Sequence, residues 1–288
     1  MSTSINWQHL GDRPPAALTD ARLQLHWAAQ LVSAVGTTLL PPAPDDSHTN
    51  LEWLAESQRL AGRLTADAPR CRAALRPDDL RLGILDERDR TVAEHELHGR
   101  TFSQGMVWLE QEIAAFTARP LPKPLRRRQV ELPPHAVGSG APFSTRDAAT
   151  FAELGRWYAN ANQVLRRLVA TLPNASEVRC WPHHFDIATL VTERPGRAAE
   201  PARTIGIGLS PGDASYAEPY WYVSPFPYPE TPRLPVLDGG GAWHRTDWLG
   251  AVLTGSTIVA ADAAEAQAAL VQAFLGSAID ACRDLLMT

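Results

Sequence analysis

Apolar residues in this chain recur at two different periods. Leu23, Trp27, Leu31 and Val35 stand four apart, which predicts an amphipathic helix capped near Thr19 or Asp20 and stopped by Pro41 and Pro42. The period then shortens. Residues 51–64, 70–75, 80–85 and 91–97 read as strands, parted by the turns Arg-Pro-Asp-Asp and Asp-Glu-Arg-Asp-Arg. They predict an antiparallel meander, its first pairing the least defined. Helical spacing returns at residues 101–117, where Phe102, Met106, Leu109, Ile113 and Phe116 form one stripe. A proline-rich extended stretch follows at 119–124, then a short strand at 129–132, a loop at 133–142 and a long helix at 145–171.

Residues 181–223 carry the most informative pattern. WPHHFDIATLVTE, TIGIGLSPGD and AEPYWYVSP read as three strands, and strand side chains alternate between faces. One face then carries Phe185, Ile187, Val191, Ile205, Ile207, Leu209, Trp221 and Val223, and should pack against helices. The other carries His184, Asp186, Gly206, Gly208, Glu218, Tyr220 and Tyr222. Glycine weakens a strand by roughly 0.5–1 kcal/mol relative to alanine. Two glycines on one face therefore imply that something approaches the sheet there. Residues 225–241 read as a long Pro- and Gly-rich loop or lid, with Trp243, His244 and Trp248 returning after it to cover the pocket. A closing helix starts near Asp262 and runs to about Leu286. The expected class is α+β, with mainly antiparallel sheet flanked by long helices. It is read as a single domain over 1–288, with possible pseudo-duplicated halves at 1–124 and 125–288.

Composition narrows this picture. Hydrophobic residues make up 44% and charged residues 20% of the 288, as in a packed globular chain. The net charge of −5 argues against nucleic acid or an anionic membrane as partner, and Arg126–Arg128 reads as a solvated linker end. Three scattered cysteines suggest neither a disulfide framework nor a cysteine zinc site, and reduced thiols fit a cytoplasmic setting. No signal peptide is expected from the N-terminal residues.

Familiar motifs fail on context. Gly206-Ile-Gly208-Leu-Ser-Pro-Gly212 opens no helix, as a dinucleotide-binding turn would. His95-Glu96-Leu97-His98 is one residue short of a zinc-protease pattern and sits in a strand. Gly138-Ser139-Gly140 is no nucleophile elbow. Asp213, after Pro211-Gly212, reads as a turn residue bonded to its own backbone.

Three occupants of the polar sheet face remain open. His184, Asp186 and Glu218 are the donor types of a divalent metal site, which would support a hydrolase-type enzyme. A small organic ligand would stack on the tyrosines while carboxylates fix its polar groups. Third, another element of the chain would cover the face, leaving a buried polar network that sets strand register. No cofactor is specified by the residues themselves.

The order Trp181-Pro182-x-His184-Phe185-Asp186, Ser210-Pro211-Gly212-Asp213 and Glu218-Pro219-Tyr220 resembles a family of uncharacterised bacterial proteins classed as a domain of unknown function. The resemblance extends to the meander, linker and long helix. It implies a shared fold and a soluble bacterial protein, and brings no catalytic residue or cofactor with it.

Overall fold

The computed structural model describes residues 5–197, 200–230 and 233–287. The fold is α+β with antiparallel sheets. By packing, the chain forms two compact units: Leu18–Gly155 with Arg179–Phe185, and Met1–Ala17 with Arg156–Val178 and Asp186–Thr288. No helix among the described residues is long and apolar enough to cross a membrane.

The first of these units begins with helix α1 (Thr19–Leu39). It is buried on nearly every side: Leu25, Ala28 and Ala29 are inaccessible, while Leu23 and Trp27 of the expected stripe are only half-buried. Leu31 and Val35 of that stripe are buried, so only its N-terminal half lies at a less covered edge, and the polar side chains of Gln24, His26 and Gln30 are buried with the core. The expected meander is present as β1 (Glu52–Leu54), β2 (Arg59–Ala61), β3 (Cys71–Arg76), β4 (Arg81–Asp86) and β5 (Thr91–Glu96), each paired with the next. Residues 51–64 alternate weakly because they hold a tight hairpin, turning through Gln58 at φ +52°.

Helix α2 (Phe102–Thr117) starts with a reciprocal cap: Thr101 accepts from the Gln104 amide, and the Gln104 side chain accepts from the Thr101 amide. It approaches α1 closely at Gly105, where a Cβ would lie 2.8 Å from a Leu31 methyl. The strand expected at 129–132 does not form. Side chains tie the backbone of this stretch instead: Glu110 accepts from the Leu125 amide, Thr38 from the Arg126 amide, and Arg127 donates to the Val130 carbonyl. Late in sequence, β6 (Arg179–Trp181) joins this unit through paired amide–carbonyl bonds between Cys180 and Leu51, at 2.8 and 2.9 Å.

Helix α3 (Ala148–Thr171) passes from one unit into the other at Gly155. The second unit is built on β7 (Asp186–Arg194), β8 (Arg203–Ser210), β9 (Tyr220–Phe226), β10 (Ala242–His244) and β11 (Gly250–Thr254), ordered β10-β11-β9-β8-β7. The loop expected at 225–241 gives up Pro225 and Phe226 to β9. Strands β10 and β11 and the short helix α4 (Gly255–Val259) lie where the sequence pattern is too brief to announce them.

The apolar face of this sheet is as the alternation predicts from Ile187 onward; Phe185, expected on it, lies instead in the turn before β7. Ile187, Leu209, Trp221 and Leu253 stand in one cross-strand row, and Thr189, Ile207, Val223 and Ala251 in the next. All are buried, and helix α5 (Ala264–Met287) packs beneath them, with the Cys282 thiol 3.7 Å from the Val223 carbonyl. Burial pushes the Cys282 thiol up to about 12, so it stays protonated.

Inaccessible Gln267 on α5 fastens the N-terminal segment. Its amide oxygen accepts from the Trp7 indole (3.1 Å) and the Leu10 amide (3.0 Å), and its nitrogen donates to the carbonyls of Leu10 (2.8 Å) and Ala261 (3.0 Å). Asn160 on α3 adds a reciprocal pair of bonds to the Gln8 backbone.

Candidate functional site

The polar face of the second sheet gathers part of the expected set and adds residues that the alternation did not reveal. Asp186, Gly208, Tyr220 and Tyr222 share that face. His184 does not. Strand β6 ends at Trp181, and the chain turns through 182–185, with Phe185 at φ +59°. The expected single strand through 181–193 is therefore two strands with a turn between them. His184 is an exposed turn residue beside His183, their rings 4.5 Å apart. Alternation holds only along unbroken extended backbone, so the two-residue spacing of His184 and Asp186 fixes no common face.

Glu218 is also diverted. It precedes β9, and its carboxylate accepts from the Ser256 amide (2.6 Å) and hydroxyl (2.9 Å) at the first turn of α4. Together with the bond from the Gly255 amide to the Pro219 carbonyl (2.7 Å), this braces α4 against the start of β9. Among the described residues, no three His, Cys, Asp or Glu side chains gather as a metal ion would require. The expected trio of His184, Asp186 and Glu218 is thus not assembled.

The two glycines play different parts. A Cβ on Gly208 would lie 2.7 Å from the Tyr222 hydroxyl and 2.8 Å from both the Ala188 Cβ and the Ile187 carbonyl oxygen. What approaches the sheet here is the chain's own Tyr222, which crosses Gly208 so that its hydroxyl donates to the Asp186 carboxylate. A Cβ on Gly206 would meet nothing closer than 3.9 Å, so crowding does not require that glycine.

Around Tyr222 stands a cluster of rings. Tyr220 is 4% exposed, and its centroid lies 4.8 Å from Tyr216, 6.3 Å from Tyr222 and 6.5 Å from Trp248. Trp248 stacks on His244 at 4.3 Å and lies over Gly250, where a Cβ would come within 2.3 Å of the indole. His244 and Trp248 return to this face as expected. Trp243 does not join them; it donates to the Pro235 carbonyl at 2.7 Å.

Each phenol is oriented by a bond. Tyr220 donates to Asp213 (2.6 Å), whose other oxygen accepts from the amides of Ser215 (2.8 Å) and Tyr216 (3.0 Å). Asp213 is thus the turn residue the sequence suggests, and a ring holder as well. Gly212 sits at φ +113° in the same turn, beside the carbonyls of Tyr216 and Glu218, a conformation suited to glycine. His244 faces the Thr246 carbonyl (2.6 Å) through Nε2 and the Tyr216 hydroxyl (3.1 Å) through Nδ1. A carbonyl only accepts, so in the neutral ring Nε2 carries the proton and Nδ1 accepts from Tyr216. Burial, and then the Asp213 charge, raise the tyrosine pKa at Tyr216; at Tyr220 burial leads and the bond to Asp213 follows. Both phenols therefore act as protonated donors at neutral pH.

Tyr216 was invisible to strand alternation because it lies in a turn. The legible signal was the Asp-Ala-Ser-Tyr spacing, which lets an aspartate turn carry a ring three residues on. In comparisons with protein-family models, curated proteins and solved structures, no match was found for this chain.

Proposed function

We propose that the chain is a small-molecule-binding protein whose ligand rests on the tyrosine face of the second sheet. The observation that carries this reading is the gathering of half-buried Tyr216, Tyr222, His244 and Trp248 around the carboxylates of Asp186 and Asp213. Aromatic faces joined to a few fixed polar groups suit a compact organic molecule with one flat apolar side and hydrogen-bond donors on its edge. The carboxylates would accept from those donors, and the rings would cover the flat side.

Binding fits better than turnover. Tyr216 and Tyr220 are held as protonated donors, and Asp213 is already bonded to two amides and a phenol. The sequence-based metal reading gains no support from the dispersed His184, Asp186 and Glu218.

A thermal-shift screen of polar metabolites tests the proposal. A ligand at this face should raise the melting temperature of the wild type, because binding to the native state alone stabilises it. Trp248→Ala should lose that shift while keeping a cooperative melt. A hit that stabilises Trp248→Ala as much as the wild type would place the ligand elsewhere.

A further inference from the structure

A concave surface lies in the unit that contains α1, between the edge strand β5 and the first turns of α2. This open groove has a volume of about 370 Å³ and is lined by His95, Arg100, Ser103, Trp108 and Gln111, among others. That volume is within the range of small-ligand sites, about 300–1,000 Å³. We propose that this groove binds a small planar aromatic anion, with its charged group on Arg100 and its ring along the His95–Trp108 pair.

Three observations support the assignment. The imidazole of His95 and the indole of Trp108 are stacked, with centroids 5.1 Å apart and planes 15° from parallel. Each ring fixes the other, so little side-chain freedom remains to be lost when a ligand ring packs on the pair. Arg100 is the only formally charged residue among those lining the groove at neutral pH, because burial, reinforced by Arg100, lowers the His95 pKa against the opposing charges of Glu112 and Glu96.

The guanidinium of Arg100 also makes no ion pair or side-chain hydrogen bond among the described residues. Its backbone is nevertheless fixed: the amide donates to the Leu97 carbonyl (2.9 Å), and the carbonyl accepts from the Phe143 amide (2.8 Å). By contrast, Arg59, Arg72 and Arg76 on the same sheet are all paired with carboxylates. A guanidinium presented from fixed backbone, with its donors open, matches a carboxylate or phosphate in two-point geometry. Ser103 and Gln111 offer hydrogen bonds at the rim.

Calorimetric titrations on the full chain provide the test, using benzoate against benzyl alcohol and adenosine monophosphate against adenosine. At least one anion should bind, about tenfold or more tighter than its neutral partner, as expected for one charge-assisted contact. Arg100→Gln should remove that preference, and Trp108→Leu should weaken the anion further. Arg90→Gln, at an exposed arginine outside the groove, should change nothing. Equal affinity for neutral and anionic probes, unchanged binding by Arg100→Gln, or no binding of either anion at millimolar concentration would each overturn the assignment.

Discussion

Gly206 and Gly208 occupy the same face of the same strand, and the sequence treats them alike. The structure separates them by what a methyl group would meet: nothing closer than 3.9 Å at Gly206, and three atoms at 2.7–2.8 Å at Gly208. Gly206→Ala should therefore be neutral or stabilise by roughly 0.5–1 kcal/mol, because alanine loses less freedom on folding. Gly208→Ala should destabilise by about 1–3 kcal/mol through overpacking against Tyr222 and Ala188. Urea midpoints of the two variants decide the matter, and a loss at Gly206 matching that at Gly208 would refute the distinction. Alternation reveals which residues share a face. It cannot reveal which side chain leans across a neighbour, and that is what sets these glycines apart.

Protonation of His26 and His183 makes stability depend on pH. His26 is 5% exposed, donates to the Pro182 carbonyl at 2.9 Å and stacks on Phe185. Burial lowers its pKa to about 4, with the Pro182 bond opposing and Arg22, His184 and His183 adding to the effect. His183 is lowered to about 4 as well, by burial and then by His184 and Arg128, with Asp46 opposing. The unfolded chain protonates these rings near 6.5, so their full contribution is present above that pH. It is lost as the pH falls from about 6.5 towards 4, to the extent of about 3 kcal/mol for His26. His183 is more open to solvent and adds less. Denaturant midpoints at pH 7.0 and 4.5 should show this loss, and His26→Gln should shrink it. Asp79 and Asp86, whose carboxyls are held below the usual range, lose their contribution only at lower pH. Equal wild-type midpoints at the two pH values would contradict this pH dependence.

Among the elements, the long periodic ones were legible. Helices α1, α2, α3 and α5 and strands β3, β4 and β5 stand where the spacing and apolar runs place them, whereas β1 and β2 are a hairpin inside what reads as one strand at residues 51–64. The break between β6 and β7 was not legible. Trp181 to Glu193 keeps its polar and apolar order through a turn, and only the backbone reversal at Phe185 shows that His184 has left the strand. Nor does any local signal announce that Cys180 will pair with Leu51 or that Glu218 will brace α4, since these bonds join distant segments. Gln267 is another such distant partner, satisfying four groups from an inaccessible position. Gln267→Leu should cost about 3–5 kcal/mol, because several buried donors and acceptors lose their partners together. It should also open residues 5–12 to limited proteolysis. A stable variant with an intact N-terminal segment would show that these bonds contribute little.

At the scale of the molecule, composition and period were sufficient for the α+β class and the antiparallel sheets. They were insufficient for the site, which is assembled from a strand pair, an aspartate turn and the returning segment at residues 244–248. Asp186, Tyr220 and Tyr222 were readable as one face. Tyr216 and the second role of Asp213 required the fold. If this assembled face receives a small organic ligand, aromatic-side-chain NMR of the full chain, titrated with the hits of the metabolite screen, will report it ring by ring. Saturable shifts should concentrate on Tyr216, Tyr222, His244 and Trp248, and in the same titration of Trp248→Ala should be absent from the three remaining rings. Shifts scattered over other rings, or unchanged rings across a library that includes stabilising compounds, would contradict ligand binding at this face.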